Sequence, residues 1–93
     1  MKGEAMNTAF LFMAQFGARA VIPLEEVRKA FFSHLEPDNL TRKLTSGEIP
    51  LPVVKADRSQ KTAKGVHLQD LAEYIDIQRA EAVKERNQLC GLR

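Results

Sequence analysis

The sequence is poor in the residues that build covalent staples and metal sites: it holds one cysteine, two histidines and no tryptophan in 93 residues. Cys90, alone, closes no internal disulfide, so the fold must stand on packing, and a reducing cytoplasm is expected. His34 and His67 are isolated from each other and from the thiol, so no metal-ligand spacing exists and no cofactor is expected. His34 reads as a turn residue and His67 as a helix cap or strand end. Long apolar runs are missing as well. The longest, Ala9 to Ala14, falls far short of the roughly 20 residues that cross a bilayer, which argues against a membrane role. Lys2, that run and Ala18-Arg19-Ala20 have the outline of a signal peptide, but Glu4 spoils the basic leader and Arg19 sits inside the would-be cleavage site. Also missing are a Gly-rich phosphate loop, a Ser/His/Asp order and a carboxylate pair in a plausible pocket, so an enzyme is not expected.

What is present is the composition of one globular domain over 1–93, with 44% hydrophobic and 28% charged residues. A chain of this size buries only about 60% of its unfolded surface, so association with a second copy would add stability. The net charge of +2 is unevenly spread. Between Thr41 and Lys64 lie Arg42, Lys43, Lys55, Arg58, Lys61 and Lys64 against only Glu48 and Asp57, so the remainder of the chain is mildly acidic. A basic middle of this kind is the electrostatic outline of a polyanion-binding face.

Periodicity and punctuation give the elements. Asn7 or Thr8 caps a helix over 9–16 that Gly17 ends, with a short strand as the competing reading. Phe10, Leu11, Phe12, Met13 and Phe16 leave it almost no polar face, so it needs cover on two sides, one of them from a partner. A helix-turn-helix over 24–46 follows. Its first helix runs from Leu24 to about Ser33, with Leu24, Val27, Ala30 and Phe31 toward the core. Its second is capped by Asp38 and stopped by Gly47, with Leu40 and Leu44 inward. Residues 48–67 read as a wing: an extended strand from Glu48 to Lys55, a basic loop and a return strand Gly65-Val66-His67. A C-terminal helix occupies 68–88, with Leu68, Leu71, Ala72 and Ile75 on one face. Beyond Ile75 it either projects or sets Ile77, Ala80 and Val83 against another subunit.

The fold implied is mainly α with a small β-hairpin wing, a winged helix-turn-helix. The major groove of duplex DNA admits one helix and shows each base pair a distinct donor and acceptor pattern. Asn39, Thr41, Arg42 and Lys43 supply the polar outer face such a helix needs, with Arg42 aimed at a guanine edge and Lys43 at a phosphate. Lys55, Arg58, Ser59, Gln60, Lys61 and Lys64 supply the wing with cations and hydroxyl or amide donors for the backbone. The expectation is a sequence-specific regulator bound to a promoter box in double-stranded DNA. Two other readings compete: a DNA-bending architectural protein, and a protein interaction module on the same scaffold. A homodimer through the Phe10–Phe16 helix or the C-terminal helix fits either.

Four stretches, Met6 to Gly17, Val21 to Val27, Gly47 to Pro52 and the continuous string Ser59 to Asp76, resemble the pyocin activator protein PrtN family. The resemblance covers about residues 6 to 80. It implies a bacterial or prophage transcriptional activator, nucleoid-associated, acting at promoters of phage-tail-like bacteriocin genes and working with RNA polymerase. More distantly, the segment from the second helix of the pair, through Gly47-Glu48-Ile49-Pro50 and the wing, to the following helix is similar to excisionase and MerR-type DNA-binding domains. That similarity implies that Asn39, Thr41 and Arg42 face the major groove, with the wing along the adjacent backbone.

Overall fold

A computed structural model describes residues 7–55 and 63–91. The first helix, α1, spans Thr8–Phe16; the Asn7 side chain accepts from the Phe10 amide at 3.2 Å and Gly17 ends it. Phe12 is its one buried residue, and its ring packs edge-on to Phe16 and tilted against Phe31. Phe10, Leu11 and Met13 stay in solvent at 72%, 49% and 41% exposure, so α1 is covered on one side only.

Val21–Pro23 forms a short strand, β1, where the sequence suggests only an entry into the next helix. Three residues are too few to show alternation, yet the pattern is present, with Ile22 fully buried between two exposed neighbours. Helix α2 covers Leu24–Phe31 and stops two residues short of Ser33; the chain turns so that Phe32, not Ala30, enters the core. Helix α3 covers Pro37–Ser46. Its N-cap is Glu36, two residues earlier than the expected Asp38 cap, because Pro37 takes the first helical position, where its missing N–H costs nothing. Asp38 instead lies in the first turn, favourable to the positive end of the helix. Gly47 closes α3 with φ 83°, a left-handed conformation that favours glycine, and its amide donates to the Leu44 carbonyl. Between α2 and α3, Arg28 grips Glu25 in a two-pronged pair and donates to the Leu35 carbonyl at 3.0 Å, which ties the turn to the first helix.

The extended strand expected over Glu48 to Lys55 pairs only at its end, as β2, Val54–Lys55. Pro50 and Pro52 lack the N–H a ladder needs, and the segment packs by side chains instead, with Ile49 and Leu51 buried. The return strand β3 spans Lys64–His67. It is the centre of a three-stranded antiparallel sheet in the order β1-β3-β2, with Ile22 opposite Val66, Val54 opposite Gly65 and Lys55 opposite Lys64. Helix α4, Leu68–Leu89, starts at once from β3: His67 Nδ1 accepts from the Gln69 amide at 3.0 Å, and the Leu68 amide donates to the Ala20 carbonyl. Leu68, Leu71 and Ala72 are buried, and α1 lies along this first half. The second half has no such cover, and the molecule is drawn out to 50 × 27 × 20 Å. The chain is thus mainly helical, a helix-turn-helix with a wing-like sheet beside it.

Gly65 is where the sheet is tightest. A Cβ there would stand 2.5 Å from Val21 Cγ1 and 2.7 Å from the Ile22 carbonyl oxygen. Gly65→Ala is expected to lower stability by about 1–3 kcal/mol in urea unfolding, the usual cost of overpacking. Trimming the facing side chain with Val21→Ala recovers only part of that, since the carbonyl remains. An unchanged unfolding midpoint would mean that β1 moves aside freely.

Candidate nucleic-acid interface

Leu40 and Leu44 hold one side of α3 in the core, at 1% and 9% exposure. At 100° per residue, Arg42 lies opposite their mean direction, and it is exposed. Its Nη2 donates to Asn39 Oδ1 at 3.1 Å, so these two polar groups share the outward face in a defined arrangement. Thr41 and Thr45, four residues apart, occupy the flank turned toward the sheet.

On that flank a cleft of about 290 Å³ joins helix to hairpin. Its floor includes Leu24, Leu44 and Leu51, and its polar lining is Thr41, Thr45, Lys55 and Lys64. The two lysines are direct cross-strand partners. Like charges placed opposite each other weaken a strand pair, and a nearby anion relieves that repulsion. The tight junction at Gly65 holds this pair in register one residue away.

Lys43 stands elsewhere. It lies on the other flank of α3, where its Nζ contacts Glu48 Oε2 at 2.6 Å. The Lys43 hydrogen bond, joined by the charges of Lys43 and Arg42, holds the Glu48 carboxyl below its ordinary range. Glu48 therefore stays anionic at neutral pH and offsets the charge of Lys43. Among the described residues Arg42, Lys55 and Lys64 enter no ion pair, and the cationic character of the surface rests on them.

Of the residues expected from sequence to meet DNA, the structure brings Thr41, Lys55 and Lys64 to one cleft and leaves Asn39 and Arg42 together on the adjoining helix face. Arg58, Ser59, Gln60 and Lys61 lie outside the described residues. Thr45 joins the cleft without having been singled out; its signal was the four-residue spacing from Thr41. Among the described residues no group of three or more His, Cys, Asp or Glu side chains is gathered to hold a metal, and no helix is long and apolar enough to cross a membrane.

Compared with known families, the chain matches the one described as pyocin activator protein PrtN over residues 8–82, which takes in α1, the sheet, the helix pair and α4 as far as Ala82. No curated protein and no solved structure matches it.

Relieving the lysine pair should stabilise the free protein. Lys55→Glu is expected to raise the unfolding free energy by about 0.2–1 kcal/mol, as an opposite-charge cross-strand pair replaces a like-charge one. Thermal unfolding at low salt reads the gain, and it should fade as salt screens both pairs.

Proposed function

The chain belongs to the pyocin activator protein PrtN family, and we propose that it activates its target genes by binding their promoter DNA with α3 in the major groove and the β2-β3 hairpin on the adjacent backbone. The family is one of activators and not an enzyme class. The observation that carries the reading is the shared cleft: helix hydroxyls from Thr41 and Thr45 and the hairpin cations Lys55 and Lys64 converge on one surface, with Arg42 exposed beside them.

Each group has a part fitted to its chemistry. Arg42 has a planar fork of donors that matches a guanine edge, and Asn39, its neighbour, can pair with an adenine or orient the guanidinium. Lys55 and Lys64 bind phosphate, which carries charge but no sequence, so they position the helix and make affinity fall with salt. Lys43, held by Glu48, contributes less to this field than its charge alone suggests. Arg58, Ser59, Gln60 and Lys61 belong to this reading as further donors to the DNA backbone. The partners in this reading are duplex promoter DNA and RNA polymerase, in the bacterial cytoplasm at the nucleoid.

Mobility shifts on DNA from upstream of a phage-tail-like bacteriocin cluster, with a salt titration, test it. Arg42→Ala is expected to cost about 1–3 kcal/mol on the cognate box and to relax preference at one base pair. Lys64→Ala should weaken all sequences alike and reduce the salt slope by about one. Loss of the same size on every sequence from both variants would overturn the division of labour, and no shift at any sequence would overturn the function.

A further inference from the structure

The second half of α4 carries an apolar stripe that begins beside Pro50 and Pro52, which share a cavity wall with Ile77, and runs outward from the body of the protein. Ile77 is 51% exposed, Ala80 is exposed and Val83 is half-buried; three-residue steps put them on one side of the helix. Thr8 Oγ1 donates to Asp76 Oδ1 at 2.5 Å, so α1 reaches α4 just ahead of this stretch. Phe10, Leu11 and Met13 of α1 are exposed as well.

The charges beside the stripe identify what covers it. Asp76 and Lys84 stand four residues to either side of Ala80, as Ile77 and Val83 stand three to either side. A twofold axis through Ala80 that sets two α4 helices antiparallel therefore brings Asp76 against the partner's Lys84 and Ile77 against the partner's Val83, each contact made twice. Alanine at the crossing lets the two helices approach closely. Such self-complementarity is what a twofold interface requires of a single patch.

We propose that the chain forms a homodimer through antiparallel α4 helices crossing at Ala80, with α1 packed along the margins of the same interface. A helix pair alone falls short of the roughly 800 Å² per partner of a stable complex, and the exposed side of α1 supplies the further apolar area. Duplex DNA is a poor occupant of this surface, because Arg79, Lys84 and Arg86 are interleaved with Glu81 and Glu85 and leave little net field. The surface is formed by elements other than α3 and the hairpin, so the inference stands apart from the reading of those elements.

Sedimentation equilibrium of the full chain without DNA tests it by charge exchange. Wild type is expected to be dimeric at micromolar concentration, and Lys84→Asp to raise the dimer dissociation constant on the order of tenfold or more, by setting two acidic groups against each other at both ends of the crossing. The double variant Asp76→Lys with Lys84→Asp should recover much of the loss, because each pair is restored with its signs exchanged. Circular dichroism confirms that each variant folds, and Lys84, exposed and beyond the core, bears no packing load. Because Asp76 also accepts from Thr8, an independent variant, Ala80→Cys in a Cys90→Ser background, should cross-link across the axis under a mild copper oxidant. A monomeric wild type overturns the proposal, as does a dimer indifferent to Lys84→Asp, or one that fails to cross-link at position 80. DNA binding that persists beside any of these results would leave the promoter reading intact and remove the dimer alone.

Discussion

The close passage of β1 over Gly65 sets the geometry on which the rest of the molecule depends. β1 is continuous with α2, β3 is continuous with α4, and β2 carries Lys55. Three strands of two to four residues have little ladder energy of their own, and their stability comes from the buried side chains beneath them, Ile22 and Val66 above all. The missing Cβ at Gly65 lets the strands seat on that core. The helix-turn-helix and the hairpin are thereby fixed to one another through a single central strand, and the cleft between α3 and the lysine pair inherits its shape from it.

Much of this was readable from residue spacing. The helices show themselves wherever an apolar stripe is bounded by caps, as with Leu40 and Leu44 ahead of Gly47, or Leu68, Leu71 and Ala72 after His67. The strands were less legible, for two physical reasons. β1 is too short for its alternation to register, and its pairing partner lies more than forty residues away. The run from Glu48 to Lys55 has the composition of a strand, but two prolines withhold the amides, and only a backbone ladder distinguishes a paired strand from an extended segment packed by side chains.

The candidate site divides in the same way. That Arg42 points outward follows from its place between Leu40 and Leu44, and Lys55 and Lys64 follow from charge clustering. The pairing of Lys43 with Glu48 does not, because a helix residue and a loop residue five positions on meet only when the left-handed turn at Gly47 folds the chain back. Sequence counts charges, whereas the fold decides which of them reach solvent unopposed.

The ion pair between Lys43 and Glu48 also shapes how an approaching polyanion meets the protein. With one flank of α3 close to neutral and the other bearing the lysine pair, the surface has a lateral gradient of potential as well as a positive mean. In the proposed promoter complex such a gradient would orient a duplex hairpin edge first, ahead of α3, which narrows the orientations a productive collision must search.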